Sequence, residues 1–310
     1  MEFAVEYNPT CECLPIYVIF VLVSVKNSHP TGCDFFLTIL IDFCHDDILY
    51  LQNHQKLQTR SCARHETVHK TMGKTRTKTQ VFNVIILDRS GSMQSIRDAA
   101  IDGFNETLAG IRKAQERFAD TQQHYVSLLT FCECEKNYVY DKTPVAETRP
   151  LTRDDYRPCC STPLYDAMGF TLTSMRNHVS KIEDHIVVVT IITDGYENAS
   201  KEYTGSAVKK LVEELKGEGW TFTYMGANQN AVEIAFTLSI RNSRNFAATN
   251  DGIHNIMAKD SSTRMNLFSR LAQLKQDEFK GNAAPLTPSE RNACYSSMAD
   301  AAFDEEENND

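Results

Sequence analysis

Five side chains with hard oxygen donors sit in three short stretches of this sequence. Asp88, Ser90 and Ser92 form an Asp-x-Ser-x-Ser run, Thr162 opens Thr-Pro-Leu-Tyr-Asp-Ala, and Asp194 lies in Thr-Asp-Gly. Two carboxylates and three hydroxyls suit Mg²⁺ or Mn²⁺ and not a soft metal. A divalent cation held this way is close to neutral overall. Neutral hydroxyls in place of further carboxylates keep it electrophilic, so an open position accepts an Asp or Glu carboxylate offered by another protein. Each piece alone also has a purely structural reading. Ser92 can cap a helix starting near Met93, and Thr162-Pro163 fits a cap followed by proline at the first helical position. Turnover at such a cation usually adds a base or nucleophile. None is convincing here, since His185 falls at the start of its strand, on the opposite end. Glu197 and Asn198, just beyond Asp194, are candidates for a partner-binding rim, with two solvated loop residues as the plain alternative.

The elements that must position these residues are legible as apolar runs. Buried parallel strands read as continuous hydrophobic stretches, and four appear: 81–87, 125–131, 186–192 and 220–225, with a weaker fifth at 244–247. Residues 137–145 read as a short antiparallel edge strand. Helical spacing fills the gaps: Ile96, Ala100, Phe104, Leu108 and Ile111; Leu164, Met168, Leu172 and Met175; Val208, Leu211, Val212 and Leu215. Ile253, Ile256 and Met257, followed by Leu267, Leu271 and Leu274, suggest one long or two short closing helices. The expected fold is therefore α/β, a doubly wound and mostly parallel sheet with helices on both faces. Ligand sites in such sheets form beyond the carboxyl ends of the strands. All three oxygen-bearing stretches fall at loops of that kind.

From about Gln80 to about Leu274 the chain resembles a von Willebrand factor A domain of the stand-alone bacterial type. Asp88-x-Ser90-x-Ser92, Thr162 and Asp194 match one for one the metal-ion-dependent adhesion site of that family, and the apolar strand before Asp88 and the Ile-Thr-Asp-Gly text around Asp194 fit as well. By that resemblance Ser90, Ser92 and Thr162 contact the metal through their hydroxyls, and Asp88 and Asp194 bind it directly or through water. The function it implies is a metal-dependent protein-binding module and not an enzyme. Two alternatives stand beside it. One is a subunit docking on a Mg²⁺-coupled ATPase, whose nucleotide work would belong to the partner because this chain has no Gly-x-x-x-x-Gly-Lys-Ser/Thr loop. The other is an aspartyl phosphotransferase of the haloacid-dehalogenase type with Asp88 as nucleophile, which wants an acid where Ser90 stands. The match departs from the family at Cys159-Cys160, where small residues, often glycine, precede the Thr-Pro segment. These thiols admit redox sensing, or a joint soft-metal site with Cys132 and Cys134, beside the plain reading of partly buried thiols.

Length and composition bound the rest. The 310 residues suffice for one large or two modest domains, and 42% hydrophobic with 24% charged residues is a globular balance. A net charge of −9 argues against nucleic acid as the main partner. The cysteines fall in close pairs rather than an even framework, which favours reduced thiols and a cytoplasmic location. Before Met72 the text changes: residues 1–71 hold five of nine histidines and five of ten cysteines. The run Leu14–Val25 is about 12 residues, short of the roughly 20 that cross a bilayer, so no membrane span is expected. Cys62, His65 and His69, with Cys44 or His45, have an incomplete zinc spacing. The expected organisation is thus a poorly defined segment 1–71, a von Willebrand A domain at 72–281, and a flexible acidic tail at 282–310. If residues 1–71 are dispensable or not natively translated, a chain shortened to begin at Met72 will match the full chain in solubility and melting temperature. A large fall in melting temperature on that deletion would reject the reading.

Overall fold

The structure is a computed structural model that describes residues 17–24, 36–43, 77–227 and 231–308. Two units separate along the chain, Met1–Met72 and Gly73–Asp310. In the first, β1 (Tyr17–Ser24) and β2 (Phe36–Phe43) form an antiparallel pair in which Tyr17 faces Phe43 and Ser24 faces Phe36. Cys44, His45, Cys62, His65 and His69, the incomplete zinc set, lie outside the described residues.

The second unit begins with β3 (Thr79–Asp88), then α1 (Arg97–Arg117), β4 (Gln122–Cys132) and β5 (Glu135–Pro144). It continues through α2 (Leu164–Val179), β6 (His185–Thr193), α3 (Gly205–Gly217), β7 (Thr221–Ala227) and α4 (Ala231–Thr237), and ends with β8 (Asn242–Phe246), α5 (Asn250–Lys280) and α6 (Pro288–Asn308). The sheet order is β5-β4-β3-β6-β7-β8, parallel throughout except for β5, which runs antiparallel to β4 at the edge. This is a doubly wound α/β fold. The chain leaves β3 toward β4 on one side and later places β6 on the other, so the loops after β3 and β6 diverge and leave a crevice between them.

Strand alternation distributes the apolar side chains of β3 to both faces. Phe82, Val84 and Ile86 pack with Met168 and Leu172 of α2 and Val208 and Val212 of α3. Ile85 and Leu87 pack with Ala100, Phe104 and Leu108 of α1 and Ile253 and Met257 of α5. The closing helix is a single one of 31 residues. The hydroxyl of Thr249 caps its start by accepting from the Gly252 N–H, and Gly281 ends it at φ +76°, a left-handed position that suits glycine.

One polar residue interrupts the apolar run of β3, and its partners explain it. Asn83 Oδ1 accepts from Arg264 Nη1 of α5 at 2.9 Å. The same guanidinium donates to Asp260 at 2.7 Å and to Thr190 of β6 at 2.6 Å. All four side chains are buried, so their polar atoms must satisfy one another. The network ties α5 to the two strands that carry the candidate site.

The segment expected to be a flexible acidic tail is instead helix α6, and it belongs to the core. Tyr295, Ala299 and Ala302 are buried against Val81, Ile186, Phe268 and Leu271, and Phe303 is buried beneath the guanidinium of Arg244, 4.6 Å from its ring centre. Their spacing of four, seven and eight residues is helical. The acids on the other side are partnered: Asp304 with Arg241 at 3.1 Å, Glu305 with Arg270, and Glu306 with Ser262 at 2.8 Å. The like-charged run therefore meets arginines that its own sequence neighbourhood does not contain.

His124 of β4 carries a pH dependence. It is buried against the ring of Phe268, its Nε2 sits 3.0 Å from Gln122 Oε1, and its Nδ1 has no partner among the described residues. Burial, with the nearby Arg264 charge, depresses its pKa to about 3. The unfolded chain takes up a proton near 6.5 that the native chain refuses, so stability is full above that pH and falls as pH drops toward 3. About 2 kcal/mol should be lost between pH 6.5 and 5 from this residue alone. Urea titrations across that range should show a weaker pH slope for His124→Gln than for the wild type; identical slopes would rule out the assignment.

Candidate metal centre

Asp88 is the last residue of β3, and Asp194 follows the last residue of β6. Thr162 stands two residues before α2, and Ser90 and Ser92 lie in the turn that leads from β3 into α1. The structure brings these loops together. Ser90 Oγ and Ser92 Oγ are 3.1 Å apart, and Ser92 Oγ donates to Asp194 Oδ1 at 2.5 Å. Gly195 closes the third side: a Cβ there would stand 3.3 Å from Thr162 Oγ1 and 3.6 Å from Ser92 Oγ, so the absence of a side chain lets the loops approach.

Neither capping alternative holds. A 3₁₀ turn spans Gly91–Ile96, and no side chain caps its start. Pro163 occupies the cap position of α2, again with no side-chain cap from its own residue. The hydroxyls of Ser90, Ser92 and Thr162 are therefore not consumed as caps.

The two carboxylates are short of positive charge. Asp88 is fully buried; its Oδ1 accepts from the Ser90 N–H at 2.7 Å and its Oδ2 from Thr193 Oγ1 at 2.6 Å. Burial pushes its pKa up to about 6 against the pull of those two donors, and the Asp194 charge adds to the rise. Burial also raises Asp194, offset by the bond from Ser92. Among the described residues no Lys or Arg forms an ion pair with either acid. Desolvated carboxylates without a cation must bind protons or an ion. The donor set fits a hard divalent ion: octahedral ligands at about 2.1 Å stand about 3 Å from their neighbours, the spacing found between Ser90 and Ser92. Asp88, Ser90, Ser92, Thr162 and Asp194 are the residues that would hold it.

Glu197 and Asn198, expected at a partner-binding rim, have a different place. The Glu197 carboxylate accepts from the backbone N–H groups of Tyr165, Ala199 and Ser200 at 2.9, 2.9 and 2.7 Å, and from Ser200 Oγ at 2.8 Å. Asn198 Oδ1 accepts from the Thr162 N–H at 2.8 Å, and the Asn198 N–H donates to the Thr162 carbonyl at 3.1 Å. Both hold the start of α2, and with it Thr162, while Glu197 is half-buried and Asn198 exposed. Asp166 completes this clamp by accepting from the N–H groups of Lys201, Glu202 and Tyr203. Tyr196, beside Asp194, is the exposed large side chain there, at 59%.

Three further residues were not singled out by sequence. Thr193 donates to Asp88, Tyr156 donates its hydroxyl to the Asp88 carbonyl, and Asp166 anchors the loop after Gly195. Thr193 adjoins Asp194 and reads as the end of an apolar strand. Tyr156 comes from an irregular loop that carries no periodic signal. His185 bonds the Ile182 carbonyl at the far end of β6, away from the site.

A doubly wound α/β domain with a cluster of two acids and three hydroxyls at the crevice between its central strands is the class that fold and site define. No protein-family model matches the sequence, and no curated protein matches it. Among solved structures the chain is similar to proximal thread matrix protein 1 from the mussel byssus, in a form with a zinc-occupied MIDAS motif, at 12% identity and a TM-score of 0.42 over 61% of this chain and 46% of that one. It is also similar to a manganese-loaded TRAP protein of Plasmodium vivax (16%, TM-score 0.40, 59% and 73%) and to the SpRpn10 VWA domain (11%, TM-score 0.38, 59% and 95%). The chain thus spans about half the length of the first of these. No helix among the described residues is long and apolar enough to cross a membrane.

The clamp is open to test. Glu197→Ala strands three backbone N–H groups at the entrance to α2 and should lower stability by about 2–3 kcal/mol in urea unfolding, with weaker binding of any ion at the Thr162 loop. Tyr196→Ala should leave the unfolding midpoint in place. Equal behaviour of the two variants would remove Glu197 from the positioning role.

Proposed function

We propose that this chain is a protein-binding module of the von Willebrand A type, working through a divalent cation of the Mg²⁺ or Mn²⁺ kind. One observation carries the reading: two buried acids with no ion-pair partner among the described residues share a crevice with three hydroxyls that cap no helix. A bound cation supplies Lewis acidity toward an incoming oxygen anion. Asp88, Ser90, Ser92, Thr162 and Asp194 hold it, Thr193 and Tyr156 fix Asp88, and Glu197 and Asn198 fix Thr162. The natural guest is an Asp or Glu carboxylate of a partner protein, because the oxygen set is hard and nearly balances the ion's charge.

The same geometry disfavours phosphoryl transfer to Asp88. A nucleophile needs an exposed oxygen and a nearby acid or base. Here Asp88 is fully buried, and Ser90 stands where an aspartyl phosphotransferase wants its acid. We therefore read the chain as a binding protein and not an enzyme; docking on a Mg²⁺-coupled ATPase remains one form that such binding can take.

Calorimetry and melting with Mg²⁺ test the reading. At a concentration 100 times its dissociation constant the ion should add about 2.7 kcal/mol of stability. Asp194→Ala should abolish that gain while the far-ultraviolet dichroism stays native. Partner capture from a lysate should be lost on adding chelator and restored by Mg²⁺. A variant lacking Asp194 that still gains stability from millimolar Mg²⁺ would overturn the ligand assignment.

A further inference from the structure

The β4–β5 turn carries Cys132 and Cys134, and the loop ahead of Thr162 carries Cys159 and Cys160. A backbone hydrogen bond joins the two segments, Glu133 N–H to Ser161 O at 3.0 Å, and two more tie the Cys159–Cys160 loop to the segment after β3, Cys159 N–H to Arg89 O at 2.9 Å and Gly91 N–H to Cys160 O at 3.0 Å. The sulfurs converge. Cys134 Sγ and Cys160 Sγ are 2.6 Å apart, Cys132 Sγ and Cys159 Sγ are 3.5 Å apart, and those of Cys134, Cys159 and Cys160 all lie within 4.8 Å of one another. In a tetrahedral zinc site with Zn–S of about 2.3 Å, neighbouring sulfurs stand about 3.8 Å apart. The Cys132–Cys159 pair stands close to that spacing, and the exposed side chains of Cys134 and Cys160 reach it by moving slightly apart.

Two more features favour a soft metal over four idle thiols. Cys160 sits at φ +62°, a backbone conformation that glycine adopts at lower cost. A Cβ-bearing residue there makes sense when its side chain is used. Arg89 reaches away from the oxygen cluster and donates Nη2 to Cys132 Sγ at 3.3 Å while pairing with Glu135 at 2.9 Å. Zn²⁺ with four thiolates carries a net charge of −2, and a buried guanidinium hydrogen-bonded to one sulfur is the outer-shell partner such a site requires.

We propose that Cys132, Cys134, Cys159 and Cys160 form a zinc site of the closed, structural type, separate from the oxygen cluster. Soft thiolates select Zn²⁺, and the hard oxygen set selects Mg²⁺ or Mn²⁺, so the two sites sort ions by chemistry although Cys160 is only two residues from Thr162. This site does not depend on whether the oxygen cluster binds an ion. Its bound metal would stitch the β4–β5 turn to the loop that carries Thr162.

The test is Co²⁺ titration of the reduced full-length chain without oxygen. Binding at the thiols should produce thiolate-to-cobalt charge-transfer absorption in the near ultraviolet, saturating at one ion per chain and bleached by Zn²⁺. Cys134→Ser and Cys160→Ser should each weaken Co²⁺ binding on the order of 100-fold. Asp194→Ala and Cys62→Ser should leave the absorption intact, which separates this site from the oxygen cluster and from the amino-terminal cysteines. As a check that needs no variant, Zn²⁺ should slow alkylation of Cys134 and Cys160 in the wild type at least about tenfold, read by mass spectrometry. Absence of the charge-transfer band, its survival in both serine variants, or unprotected alkylation at saturating Zn²⁺ would each overturn the proposal. So would a Cys134–Cys160 disulfide whose reduction restores no Co²⁺ binding.

Discussion

Withdrawing a carboxylate from water without a cation beside it is unfavourable enough that the group tends to take up a proton. Asp88 is held in that state at the end of the central strand. The Ser90 N–H and the Thr193 hydroxyl each satisfy one oxygen, but a carboxylate offers about four acceptor positions, and the neighbouring Asp194 adds charge of the same sign. The negative potential that remains is the basis of the proposed cation binding. Nearly every other feature around it serves to keep Asp88 buried and the hydroxyls aimed beside it.

That service is rendered by backbone as much as by side chains. The loop after β6 folds back on the start of α2 through Glu197, Asn198 and Asp166, whose acceptors take up seven backbone N–H groups from residues near Thr162 and from the loop itself. Carboxylates that receive several backbone N–H bonds are fixed in orientation and fix the loop in turn. Deeper in the sheet, the Arg264 guanidinium joins Asn83 of β3 to Thr190 of β6. The two strands that end in Asp88 and Thr193 are thereby tied to each other and to α5. Breaking a buried network of this kind by removing one partner costs about 3–5 kcal/mol, so the spacing of the crevice is not readily relaxed.

Hard and soft donors stand side by side in this molecule. Arg89, between Asp88 and Ser90 in sequence, sends its side chain not toward the acids but toward Cys132 and Glu135. A guanidinium placed on the acids would neutralise their charge. Its diversion leaves the oxygen cluster negative and gives the thiol cluster a cation. One residue thus separates two electrostatic environments carried by neighbouring loops.

The sequence by itself determined the order and type of the main elements, because buried parallel strands must be apolar on both faces and the helices between them must present an apolar stripe. It also marked the five oxygen donors, since their types and their places after strands are chemically unusual together. The edge strand β5 and the single long α5 came within reach of the same patterns. Only the tertiary structure decided that 288–308 is a core helix, because alanines at 299 and 302 bury a face without announcing it and the acids find their arginines at 241 and 270 from distant elements. The same holds for Glu197 and Asn198, which one-dimensional text places at a partner rim and whose acceptors the structure commits to the N–H groups around the start of α2. A hydrogen-bond acceptor's role is set by which N–H groups come to it, and those of Thr162 and Tyr165 are brought from more than 30 positions away by the folding of α2 against the loop after β6.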